Sequence, residues 1–275
     1  MKDENEPRLF AVLRERFGDA PDGGDTPGAA ALLAMAAHRS HRRYTDRAVD
    51  PALLRTLCAV ALSSPSKSDM QQRDIVIVEA PALRSAIADL VPSDPWVRAA
   101  PAFLVFCGNN RRQRQLHEWR QKPFANDHLD PFFNAAVDAG IALAWFVAAA
   151  EAAGLGTCPI SQIRNNSQAI SDLLGLPEFV FPVAGMCVGW PSEEGAIVPR
   201  LPLAATVHTD RFDDKDVRTL VETYDKRRRY RTQRDPERFG TAAEYGWSED
   251  KARQYAKPER ADFGAYVRRR GFRLD

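Results

Sequence analysis

Cysteine is scarce: four in 275 residues, none in a CxxC pair, which leaves no zinc framework and no disulfide scaffold. Three of the four sit in apolar surroundings such as FLVFC and AGMCVGW, so Cys58, Cys107, Cys158 and Cys187 read as reduced, mostly buried thiols of a cytoplasmic protein. Charge of one sign is lacking as well. The 38 Lys and Arg nearly cancel the 37 Asp and Glu, giving +1, so no global field marks nucleic acid or a membrane surface as the partner. The longest charge-free apolar run, residues 139–150, is too short to cross a bilayer and reads as buried helix. The start, MKDENEPRLF, lacks the apolar stretch of a secretory signal.

Reactive motifs are missing too. There is no GxGxxG, no GxxxxGKS/T and no GxSxG, which removes a Rossmann dinucleotide domain, a phosphate-loop NTPase and a nucleophile elbow. The five histidines show no ligand spacing with cysteine, and His38 and His41 lack carboxylate or thiol company, so no metal is expected. A chain without a reactive group of its own suits chemistry carried by a bound cofactor.

Residues 7–17 predict a short helix, and DAPDGGDTPG at 19–28 a linker, making the N-terminus an appendage. Helices follow from Ala29, from Pro51 with Asp50 as N-cap, and over 81–90. Strands are expected at 75–78, 102–107 and 181–190, the last ended by Pro191. The longest helix spans 132–153, is apolar almost all round and stops at Gly154 and Gly156; another covers 167–174. Residues 226–234, KRRRYRTQR, carry six Lys or Arg, and the tail remains charged. No repeat is present, and few strands among irregularly alternating helices indicate α+β or mixed α/β.

Three polar clusters could carry function. In His38-Arg39-Ser40-His41-Arg42-Arg43-Tyr44, guanidinium forks suit phosphate oxygens, and Arg39 and Arg42, three apart, could face one ligand from a helix end. By spacing alone the simpler reading is a basic helix C-terminus that complements the macrodipole. Ser63–Gln71 is a dense set of donors between a helix and a strand, serving either as a ligand loop or as a solvated connection. Pro199-Arg200-Leu201-Pro202 holds an Arg between two prolines, either pre-positioned or simply exposed on a stiff exit segment.

Taken in order, HRSxRxYTD, SSPSxSxMQ, GLGTCPISQIRNN, LGLP, VGWP and PRLP resemble the nitroreductase family, most like its oxygen-insensitive nitroreductase A and flavin reductase branch. The similarity runs from about Ala29 to Val207. It implies an α+β fold, a three-layer α/β/α core with a mainly antiparallel sheet, and an intertwined homodimer with FMN at the interface. On that pattern residues 1–28 are an N-terminal appendage and linker, 29–207 the FMN-binding core, and 208–275 a basic C-terminal arm packing on the partner subunit.

The resemblance implies that His38, Arg39, Ser40 and Arg200 hold the FMN phosphate. Arg42 would be the cation near the electron-rich rim of the ring. Ser64, Pro65 and Ser66 would reach the flavin from the partner subunit, and Gln71 matches the polar residue just before the first core strand. Ile160, Ser161 and Gln162 would face the ring edge, and Arg260 the nicotinamide co-substrate's phosphates. NADPH (or NADH) would reduce FMN, and a nitroaromatic, quinone or flavin would accept the electrons in a ping-pong cycle. No residue is assigned as catalytic, since the flavin carries the chemistry. Two departures stand out: Val198 where relatives have Lys, and Ser161-Gln162 where they have two glycines. They keep open a non-catalytic FMN-binding or regulatory protein on the same fold. A nucleic-acid role for the basic run is disfavoured by the near-neutral total charge.

Overall fold

The computed structural model describes residues 4–19 and 25–275. In chain order the helices are α1 (Asn5–Phe17), α2 (Ala29–Ala36), α3 (Pro51–Leu62), α4 (Pro81–Leu90), α5 (Trp96–Ala99), α6 (Arg111–Trp119) and α7 (Leu129–Ala152). They continue with α8 (Ser167–Leu173), α9 (Val217–Arg227), α10 (Pro236–Phe239), α11 (Trp247–Tyr255) and α12 (Phe263–Arg269). The strands are β1 (Arg73–Ile77), β2 (Ala102–Asn109), β3 (Gly156–Ile160) and β4 (Val180–Gly189). The chain forms two compact units: Ser40–Gly195 with Arg260–Asp275, and residues up to Arg39 with Ala196–Glu259.

The larger unit is built on a four-stranded sheet of order β1-β2-β4-β3, every neighbour antiparallel. Side chains alternate across a strand. In β2, Phe103, Val105 and Cys107 enter one apolar cluster with Ile87, Ile163 and Ile170 from the α4 and α8 side. Leu104 and Phe106 enter another with Leu54, Leu57, Phe146 and Ala150 of α3 and α7. Burial on both faces explains why AFLVFC is a continuous apolar run. The result is the expected three-layer α/β/α core. A register shift between Phe106 and Cys107 places Pro182 opposite Cys107, where a residue without an N–H is tolerated. The last stretch, with Tyr266, Val267 and Phe272, packs on Ala135 and Phe181.

The Asp50 cap is present: its Oδ1 accepts the Ala52 N–H at 2.9 Å, and Pro51 opens α3. The helix α7 is longer than the charge-free run at 139–150, and by length and composition it could cross a membrane. Here it acts as a core helix, with Ala139, Ala142, Phe146 and Ala150 fully buried. The strand expected at 75–78 starts earlier, at Arg73. β3 escaped the sequence reading because GTCPI carries a Gly and a Pro, both poor strand signals; Gly156 opens this strand rather than stopping the preceding helix. The helices after residue 210 escaped it because their sequences are dominated by charge.

In the second unit that charge is largely consumed internally. Asp250, nearly buried, accepts from Arg234 Nε at 3.0 Å, Lys251 Nζ at 2.6 Å and Tyr245 Oη at 3.1 Å. Buried Arg253 donates to Glu249 and to the Arg234 and Gly240 carbonyls. The linker expected at 19–28 falls partly outside the described residues. The linear boundaries at 28/29 and 207/208 and the spatial division cut the chain at different places, since hydrogen bonds tie α1 to the segment after Ala196.

All four cysteines are free, and Cys107, Cys158 and Cys187 are buried. Burial pushes the Cys107 thiol up to about 12 and the half-buried Cys58 to about 11, so neither supplies thiolate near neutrality. Iodoacetamide at mildly alkaline pH should therefore modify the folded protein slowly and only at Cys58, and all four sites after unfolding. Fast native-state labelling of Cys107 by mass spectrometry would contradict this.

Candidate functional site

The smaller unit holds His38, Arg39 and Arg200. α2 ends at Ala36, and the chain then leaves in an extended course. The Arg16 side chain, 6% exposed, binds this exit: Nε donates to the Ala36 carbonyl at 3.0 Å and Nη2 to the His38 carbonyl at 2.7 Å. Its Nη1 donates to the Val198 carbonyl at 3.1 Å, and its own carbonyl accepts the Arg200 N–H at 2.6 Å. Two stretches more than 150 positions apart are thus gripped by one residue. The Arg200 guanidinium is exposed, with Nη1 near its own Val198 and Pro199 carbonyls. The same stretch walls a pocket of about 480 Å³ shared with Arg228, Tyr224, Tyr230 and Trp247, so Arg200 borders a hollow.

The larger unit holds Ser40, Arg42, Ile160, Ser161, Gln162 and Arg260. Ser40 forms a parallel bridge with Thr157 of β3, and the His41 N–H donates to the Thr157 carbonyl at 2.8 Å. Gly156 permits this approach, because a Cβ there would lie 2.7 Å from the His41 side chain. Tyr44 Oη donates to the His41 carbonyl at 2.5 Å, and burial raises its pKa, keeping it a donor. Residues 38–44 are therefore non-helical, bridged at Ser40 and Tyr44, so Arg39 and Arg42 lie beyond the end of α2 at Ala36 and do not share a helix end from which to face one ligand. Arg42 instead lies over the Trp96 ring, 5.2 Å from its centroid. β3 ends at buried Ile160 and turns through Ser161–Asn166. There Arg260 donates from Nε to Asn165 Oδ1 at 2.7 Å and reaches Ser161 Oγ at 3.5 Å.

Ser64, Pro65, Ser66 and Gln71 lie elsewhere in this unit. They precede β1, at the sheet edge opposite β3, so one chain does not bring them to Ser40 or Ile160. It is Gln72, not Gln71, that directly precedes β1; Gln72 is buried and accepts from Asn110, while Gln71 is exposed with φ 53°. Asp138 of α7, fully buried, organises the loop. It accepts from Ser66 Oγ at 2.7 Å, the Lys67 N–H at 3.1 Å and the Gln72 N–H at 2.9 Å, and pairs with Arg73 at 3.7 Å. Arg73 in turn donates to the Leu62 and Ser64 carbonyls.

Arg16, Trp96 and Asp138 were missed by sequence reasoning. Asp138 had a signal, a carboxylate in the middle of the apolar helix of 132–153, where Glu151 near its end is the other one, since a buried carboxylate must be paired. Arg16 had none. Breaking a buried pair costs about 3–5 kcal/mol, so Asp138→Ala should lower unfolding stability by that order and make the Ser66–Gln71 loop a preferred cleavage site in limited proteolysis. Wild-type stability would contradict the assignment of Asp138 as the loop's anchor.

The donor set fits a phosphate-bearing flavin. Guanidiniums and an imidazole on tethered backbone suit an anion. Ser64 Oγ and Gln162 Oε1, on the stretches that the resemblance assigns to the flavin, are buried without a hydrogen-bond partner among the described residues. Among the described residues no group of three or more His, Cys, Asp or Glu could hold a metal ion.

Comparison with known proteins points to the same cofactor. The chain is 36% identical over 200 residues to the FMN reductase [NAD(P)H] of Bacillus subtilis, covering 71% of this chain and 80% of that protein. It is 32% identical over 240 residues to the oxygen-insensitive NADPH nitroreductase of Salmonella typhimurium, covering 86% and 96%. The structure of B. megaterium NfrA2 superposes with a TM-score of 0.81 at 34% identity, covering 89% of this chain and 98% of that one. The Nitroreductase family profile matches residues 35–190, and that of the Nitroreductase family, C-terminal domain, matches 199–275. With its four antiparallel strands between two helical layers and matches along nearly all its length, the chain belongs to the nitroreductase family.

Proposed function

We propose that this chain is an FMN-dependent NAD(P)H oxidoreductase of the nitroreductase and flavin reductase type, reducing nitroaromatics, quinones or flavins. The observation that carries the reading is that Arg16 binds the His38 and Val198 carbonyls and accepts the Arg200 N–H, so one residue tethers the backbone of both cation-bearing segments. The activities in the relatives' names support it. Bound FMN would supply the redox chemistry, hydride uptake from the nicotinamide and electron delivery to the acceptor.

The chain's own residues bind and orient. His38, Arg39 and Arg200 grip the phosphate with Ser40, and Arg42 stabilises negative charge at the ring's rim. Ile160, Ser161 and Gln162 border the ring edge, where Arg260, already beside Ser161, meets the nicotinamide co-substrate's phosphates. Ser64, Pro65 and Ser66 act on the flavin of a second copy, a role that suits their place at the far sheet edge, and Gln71 contributes to flavin binding as the polar residue next to the first core strand. A homodimer is supported by an apolar stripe on α7: Leu129, Phe133, Val137 and Trp145 are 41–60% exposed, with Val60 and Leu62 of α3 similarly bare. The basic stretch from residue 208 is the arm that packs on the partner. Four unpaired thiols suit the cytoplasm.

The purified protein should be yellow, or gain flavin absorbance with FMN, and anaerobic mixing with NADPH in a stopped-flow instrument should bleach it within seconds. A colourless protein that takes up no FMN would end the proposal. One that holds FMN but is bleached by neither nicotinamide would favour the non-catalytic reading to which Val198 and Ser161-Gln162 point. In sedimentation the FMN-loaded protein should run at twice the chain mass; a monomer that keeps its flavin would remove the two-copy site.

A further inference from the structure

Both family matches begin after α1: they cover residues 35–190 and 199–275, and Arg16 lies in neither. Yet the end of this helix is bound in detail. The last carbonyls of a helix have no partner within it. Here the Glu15 carbonyl accepts from Arg227 Nη2 at 2.6 Å, the Arg16 carbonyl accepts the Arg200 N–H at 2.6 Å, and the Arg14 carbonyl accepts the Gly18 N–H at 2.9 Å. Gly18, at φ 84°, ends the helix left-handed where any side chain would run into the Arg227 guanidinium. The turn that carries Arg16 is held from both sides.

From that turn Arg16 reaches the carbonyls of Ala36, His38 and Val198 with three different nitrogens, at 3.0, 2.7 and 3.1 Å. A planar fork of five donors can satisfy three acceptors on two backbone segments at once; an ammonium on a flexible stem cannot hold them in fixed relation. Each of these carbonyls lies within three residues of a side chain assigned to the FMN phosphate: Ala36 and His38 before Arg39, Val198 before Arg200. At Val198, moreover, only the backbone is used by Arg16, so loss of a cationic side chain there leaves the tether intact.

We infer that Arg16 is a positioning residue for the FMN phosphate, and that α1 is a clip supplied by this chain's N-terminal segment to fix the spacing between Arg39 and Arg200. The inference rests on the reading that these two side chains hold the phosphate. Arg16 acts through the backbone of both segments and adds a buried positive charge behind them. Its loss lets the segments drift apart, which weakens recognition of the phosphate and leaves recognition of the ring unchanged.

The test titrates flavin-stripped protein with FMN and with riboflavin, which has the ring and no phosphate, following fluorescence and recording each variant's unfolding midpoint. Arg16→Ala is expected to bind FMN about tenfold more weakly or worse, equivalent to about 1.4 kcal/mol, with riboflavin affinity unchanged. Arg16→Lys keeps charge and bulk without the fork and should lose part of that selectivity; if Arg16→Ala does not fold, the lysine variant decides. FMN affinity indistinguishable from wild type in the folded variant, or equal losses for both ligands, overturns the clip. Arg39→Ala separates the two ideas: should it bind FMN as wild type does, the phosphate assignment itself fails, whatever Arg16 does.

Discussion

The double burial of β2 and β4 is the constraint from which the larger unit follows. A strand with Phe103, Val105 and Cys107 on one face and Leu104 and Phe106 on the other can be stable only if helices cover both sides. α4 and α8 cover one, α3 and α7 the other. Because the strand order puts β1 and β3 at opposite edges, those edges carry different material: β1 receives the Ser64–Gln71 loop, and β3 receives the segment of Ser40 and His41. The separation of the two groups of candidate ligands is thus a consequence of strand order.

Around that core, charge is placed where backbone needs it. Asp138 and Arg73 are both nearly inaccessible; Asp138 accepts from Ser66 Oγ and two main-chain N–H groups, and Arg73 Nη2 donates to two main-chain carbonyls at the start of the same loop. Arg16 does the same for three carbonyls. A buried ion with such partners contributes little net stability over an apolar packing, but it fixes geometry, since each unmade bond is costly in a dry site. Loops that must present ligand-binding groups repeatably gain from that rigidity.

Legibility in the sequence followed the strength of local signals. Asp50-Pro51 announced a helix start, and the Ala-rich run of α7 announced a central helix. β3 was hidden because its pairing with β4, not its composition, makes it a strand. Arg39 and Arg42 were visible as cations but misplaced on a helix end, because the bridge to Thr157 that extends their segment involves a residue over a hundred positions away. Gln71 and Gln72 could not be told apart until the start of β1 was known.

The sequence by itself determined the family, the alternation that buries the central strands, the absence of a metal motif and the cast of phosphate-binding candidates, all of which depend on residue identity and short spacing. Tertiary structure alone decided which carbonyls Arg16 holds, which loop Asp138 anchors and that Arg260 stands beside Ser161. Those contacts join segments tens to nearly two hundred residues apart, and a hydrogen bond between distant segments leaves no period or spacing in the chain to read.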